Sequence, residues 1–171
     1  MKRLVLAGIL ACILAAPAAD AADSKLGYID MQRALNMSDA GKEAKEQLAA
    51  RVKKYQDEIN VKQEEVRKLK DDLEKQGLAL SDAKRSEKEK DYQQRLKEFQ
   101  RFTKDAQDEL QAKDEEYTRK IFESLEKIIR EYGRKSGYAF IFIKNDAMLY
   151  ADDKADVTEE VLKQFNSSRK K

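Results

Sequence analysis

The sequence predicts an α+β fold that is predominantly α: a long antiparallel helical hairpin, or coiled-coil arm, projecting from a small β body that serves for oligomerisation. Three observations lead there. Residues 42–132 contain one glycine, no proline and a dense mixture of Lys, Glu, Gln, Asp and Arg, a composition suited to long helices. Apolar residues recur through that span at steps of four and three. Near the C-terminus, Tyr138 to Ile143 reads Tyr-Ala-Phe-Ile-Phe-Ile, with none of the polar alternation of a half-exposed strand.

The N-terminal 21 residues have the features of an export leader. Lys2 and Arg3 precede an apolar run of 13 residues from Leu4 to Ala16, and Ala19-Asp20-Ala21 supplies a small-x-small cleavage pattern. The run is shorter than the roughly 20 apolar residues of a stable membrane span, so cleavage after Ala21 is expected. Cys12, with Leu10 and Ala11 before it, fits a lipid-attachment consensus poorly. Losing Lys2, Arg3 and Asp20 takes the net charge from +2 to +1. Cleavage also removes Pro17 and Cys12, leaving an exported chain with no disulfide, which packing alone must hold together.

The β body is assigned to residues 22–41 and 133–171 and the arm to 42–132. A short strand is expected at Leu26–Ile29, running into a turn or helical start. Along the first arm helix, positions 48, 52, 55, 59, 62, 66, 69, 73, 76 and 80 hold eight apolar residues out of ten, the 3.5-residue seam of a coiled coil. Tyr92, Leu96, Phe99, Thr103, Ala106, Leu110, Lys113, Tyr117, Ile121, Leu125, Ile128 and Tyr132 form a comparable stripe on the second. Gly77 interrupts the pattern and Ser81 can cap the helix that follows, placing the hairpin tip at 77–81. A rod that never reverses is the competing arrangement.

At 1.5 Å per residue, helices over 42–76 and 82–132 extend about 52 and 76 Å. A compact 150-residue domain has a radius of gyration of only about 15 Å, so the arms must project. Gly133 and Gly137 are expected to permit the turn into the C-terminal strands, two of which flank Lys144-Asn145-Asp146. A last helix is expected at about 158–166, capped by Thr158. One chain has too few strands to cover Tyr138–Ile143 on both faces, so the base is expected to bring chains together.

The composition narrows the chemistry. With no histidine anywhere and no cysteine after the leader, Ser/His/Asp and Cys/His catalysis and imidazole or thiolate metal sites are excluded. No phosphate-binding glycine loop occurs, so neither ATP use nor any cofactor is indicated. The acidic residues Asp152, Asp153, Asp156, Glu159 and Glu160 lack the spacing of a calcium loop and suit a turn and a helix N-terminus. A near-neutral exported chain gives little support for nucleic-acid binding. A binding protein rather than an enzyme is expected.

The order of these parts is itself informative. The opening LGYIDMQRAL (26–35), the charged hairpin, the strand region FIFIKNDAMLYAD (140–152) and the closing DVTEEVLKQFN (156–166) resemble the Skp/OmpH family of periplasmic chaperones for outer-membrane proteins. The resemblance implies a periplasmic homotrimer whose β body gathers strands from three chains. It implies three hairpins around a cavity that holds unfolded outer-membrane proteins without ATP. Lipopolysaccharide or an anionic membrane surface is a further partner it implies. No site for that partner is carried over, because Asp108-Glu109-Leu110-Gln111-Ala112-Lys113 is not basic here. An envelope coiled-coil adaptor or spacer that docks a fixed partner is the alternative.

The residues expected to join subunits are Leu26, Tyr28, Ile29, Phe140, Ile141, Phe142, Ile143, Met148 and Tyr150. Those expected to meet clients are Leu78, Lys84, Arg85, Lys88, Arg95 and Phe102, on the inner face of the arm. Between residues 84 and 104, eight basic residues face four acidic ones, a positive fringe near the tip. Many weak contacts of this kind can hold an unfolded chain without selecting one structure.

Overall fold

The computed structural model describes residues 24–76 and 80–169. Strand β1 (Lys25–Ile29) leads into helix α1 (Met31–Met37), then α2 (Asp39–Gln76) and α3 (Asp82–Lys135) form the arm. Strand β2 (Tyr138–Ile143), a 3-10 turn (Asp153–Ala155) and helix α4 (Thr158–Ser168) complete the body. The expected export leader and residues 77–79 of the expected tip at 77–81, including Leu78, lie outside the described residues.

The arm is a hairpin, as expected: α2 and α3 are antiparallel, and the chain returns to β1 to lay β2 beside it. Because the hairpin brings the chain back to the end it left, β2 pairs with β1 in parallel, with Leu26 opposite Phe140 and Ile29 opposite Ile143. Every residue of the expected α3 stripe is at least partly buried, with Ala106, Ile121 and Leu125 fully so. On α2 the seam is partly buried except at Val52 and Gln76, which are exposed. The arm therefore packs thinly along most of its length.

The core sits at the arm's root. Ile29 from β1, Met31 and Ala34 from α1, Ile121 and Leu125 from α3, and Val157, Val161 and Phe165 from the C-terminal segment form one buried cluster. Segments from both ends of the chain thus close over the base of α3.

Several local expectations are corrected. Residues 147–150 form no strand, because the structure offers that segment no partner; the described sheet has two strands, β1 and β2. Ser81 stands at the N-cap of α3, but its side chain makes no capping hydrogen bond. Thr158 is the first residue of α4, not its cap. The Asp156 carboxylate accepts from the Thr158 backbone N–H at 2.8 Å and so does the capping work, while the Thr158 hydroxyl is buried and accepts from the Asp30 N–H at 3.0 Å. Gly133 is a helical residue in close packing, where an added Cβ would meet Ile141 Cδ1 at 3.3 Å. Gly137 alone makes the turn, with φ of +73°, the left-handed conformation in which α3 ends.

Candidate functional site

An exposed apolar surface of the body is built on β2. In the parallel register Leu26, Tyr28, Phe140 and Phe142 share one sheet face. Leu26, Phe140 and Phe142 are 53%, 60% and 50% exposed, and the two phenyl rings stack at 5.9 Å. Tyr28 is different: the segment carrying Asp153 and Asp156 covers it, and burial, followed by the Asp156 charge, raises its phenol pKa. Ile29 is also buried, within the subunit's own core. These two residues, expected at a subunit interface, instead fix β1 inside the body. Met148 is half-buried.

The opposite sheet face turns toward α3. Ile141 packs against the core, while Ile143 is half exposed at the rim of an open groove of about 770 Å³. Phe122 and Ile129 of α3 line the same groove. The sequence reading missed this pair. Phe122 and Ile129 are seven residues apart and sit one position beyond Ile121 and Ile128 of the seam, so they extend the stripe toward β2. Beyond the strand, Leu149 and Tyr150 are almost wholly exposed. The outer edge of β2 has no strand partner among the described residues, so its backbone groups and both flanking apolar surfaces are open together.

Of the arm residues expected to meet clients, Lys84, Arg85, Lys88, Arg95 and Phe102 are distributed along α3. Lys84 is exposed and forms no ion pair among the described residues. Arg85 pairs with Glu89, Arg95 with Asp91 and Glu98, and Lys88 donates to Gln76 of α2. Pairs spaced three and four along the helix therefore offset part of the positive fringe. Phe102 corrects the counted seam: it meets Tyr55 edge-on at 6.0 Å and lies under the Lys62 ammonium at 5.1 Å. That contact accommodates the lysine at a seam position, through attraction between its charge and the ring face.

Polar groups join the helices nearer the root. The Glu109 carboxylate accepts from Arg51 at 3.1 Å and from the Tyr55 hydroxyl at 2.6 Å, and that hydrogen bond raises the Tyr55 pKa. Tyr117 donates to Gln47 at 2.9 Å. Glu116, between Lys113 and Lys120, has its carboxyl lowered to about 2 by hydrogen bonds from both ammonium groups. The Glu116 pairs lie within α3, whereas the bonds joining Arg51, Tyr55 and Gln47 of α2 to Glu109 and Tyr117 set the register of one helix on the other.

Comparison with known proteins places this architecture. The family model described as outer membrane protein (OmpH-like) matches residues 25–165. The chain belongs to the OmpH-like family. It is 29% identical to a Skp-like protein of Pseudomonas aeruginosa over 164 residues, covering 94% of this chain and 95% of that one. It is 31% identical to an Aquifex aeolicus protein, covering 81% of this chain and 83% of the relative. A crystal structure from Caulobacter crescentus, named as an OmpH-like outer membrane chaperone, superposes with a TM-score of 0.78 over 85% of each chain, at 14% identity. At that identity the superposition shows a shared fold. In this OmpH-like chain that fold combines the long hairpin with the open β2 surface.

Proposed function

We propose that this OmpH-like protein is a periplasmic, ATP-independent holdase chaperone, exported by a cleaved leader, that keeps unfolded outer-membrane proteins from aggregating. In this reading three copies associate through their β bodies and the hairpins enclose the client. Lys84 and the other bases near the tip attract acidic clients or an anionic surface, and Leu78 and Phe102 add apolar contact. The observation that carries the reading is an exposed apolar strand face, with an unpaired edge, at the root of a hairpin too long to fold back over it. Half-exposed Leu26, Phe140 and Phe142 each gain about 1 kcal/mol on being covered, roughly half the value for a fully buried large side chain. The thin packing of the arm leaves it compliant enough to adjust to clients of different size.

The test uses the chain from residue 22 onward. Light scattering should report a mass of three subunits, and a stoichiometric amount of trimer should suppress aggregation of an unfolded β-barrel membrane protein diluted from urea. Phe140→Glu should reduce both the mass and the protection. A monomeric wild-type chain, or unchanged aggregation in the presence of trimer, overturns the proposal.

A further inference from the structure

The arm's two helices enter the body differently. Helix α3 runs without a break from the tip region to Lys135. Helix α2 starts at an elbow: α1 ends at Met37, Ser38 is extended with ψ of 151°, and α2 begins at Asp39. Within the elbow, the buried Ser38 hydroxyl donates to the Leu35 carbonyl at 2.9 Å and accepts from the Gly41 N–H at 3.0 Å.

The remaining holds come from the other end of the chain. The Asn166 side-chain carbonyl accepts from the Asp39 N–H at 3.0 Å, satisfying one of the donors that a helix leaves unpaired in its first turn. Arg169 pairs with Glu43 one turn further along α2, at 2.9 Å. Between these contacts and the body, Val161, Leu162 and Phe165 seat α4 among buried residues. We infer that the C-terminal end of α4, through Asn166 and the Arg169 that follows the helix, is a clasp that fixes the root of α2 and thereby limits how far the arm can swing from the body.

The mechanical basis is the asymmetry between the helices. Because α3 is continuous with the body, any change in arm direction bends α3, and α2 must slide or lift at its root. The clasp resists that movement at the point where α2 has no continuous helix behind it. Releasing it leaves the Ser38 elbow as the hold beside the side-chain packing of Ala40 and Ala44 on the core. Its bearing on client capture rests on the proposed holdase reading, whereas the clasp itself is a property of the fold.

Hydrogen exchange on the assembled protein separates the two. Asn166→Leu should speed exchange of the amides at 39–43 about five-fold, the factor expected for losing one helix cap, and leave those of Ile121–Ile128 in α3 unchanged. Asn166→Asp keeps an acceptor in place and should restore protection. Arg169→Glu should also speed exchange at 39–43, and adding Glu43→Arg should reverse the effect. Unchanged exchange at 39–43 in Asn166→Leu, or equal acceleration at Ile121–Ile128, overturns the clasp. If the root amides respond while aggregation of the diluted β-barrel protein is suppressed by neither wild type nor variant, the clasp stands and the holdase reading falls.

Discussion

Gly41→Ala sets two opposed effects against each other. Inside a helix, alanine is favoured over glycine by about 1 kcal/mol, so propensity alone predicts a more stable protein. The elbow predicts the reverse. An added Cβ would lie 1.8 Å from the Leu35 carbonyl oxygen and 3.1 Å from Ser38 Oγ. Restoring ordinary van der Waals separation means moving a backbone carbonyl by roughly 1.5 Å. That movement breaks the hydrogen bond that the fully buried Ser38 hydroxyl donates to this carbonyl. That bond is worth about 1 kcal/mol, and the buried hydroxyl left without its acceptor costs about 1–3 kcal/mol more. After the gain in propensity, a net loss of about 1–3 kcal/mol remains. Urea unfolding followed by far-ultraviolet circular dichroism, at equal subunit concentration, should show the midpoint falling by about 0.5–1.5 M. Ala49→Gly, at an exposed position in the same helix, is the control and should cost only about 1 kcal/mol. A midpoint for Gly41→Ala equal to or above wild type refutes the steric argument.

Leu125→Ala removes a side chain that is fully buried in the root cluster and should cost about 2–5 kcal/mol in the same urea assay; a loss below about 1 kcal/mol would show that the cluster is not the main core. Glu109→Gln should lower the Tyr55 phenol pKa toward its ordinary value of 10.0, read from tyrosinate absorbance. Because the folded value is raised, this interaction stabilises the protein below pH 10 and its contribution disappears as pH rises through the folded value. Glu116 has the opposite sign. Its folded carboxyl value of about 2 lies below the ordinary 4.5, so its contribution is present above that ordinary value and is lost as pH falls toward 2. Carbon NMR should find Glu116 still ionised at about pH 3, and Glu116→Gln should weaken the dependence of stability on pH between those two values.

The hairpin was legible in the sequence because its determinants are local: the spacing of apolar residues, the shortage of glycine and proline, and the charges between them act over one or two helical turns. Strand β1, strand β2 and helix α4 were legible for the same reason. Lys62 and Phe102 show where local reading stopped. Each was assigned from its own helix, yet their contact depends on the register between two helices, which residue spacing on one helix does not specify. The open surface was half legible: Phe140, Phe142 and Ile143 announced an uncovered strand, while Phe122 and Ile129 joined them only when α3 was placed against β2. The absent strand at 147–150 makes a related point, since a strand forms through hydrogen bonds to a partner and propensity cannot supply one.

The sequence by itself determined that the chain forms a long, thinly packed hairpin and that its C-terminal strand is more apolar than one subunit can cover. Only the tertiary structure decided that Tyr28 and Ile29 turn inward, that Gly133 admits Ile141, and that Asn166 holds a helix beginning 127 residues earlier at Asp39. The physical reason is one of range. Periodicity records which face of an element must avoid water, but the neighbour that covers that face is settled by the joint packing of segments far apart in the chain.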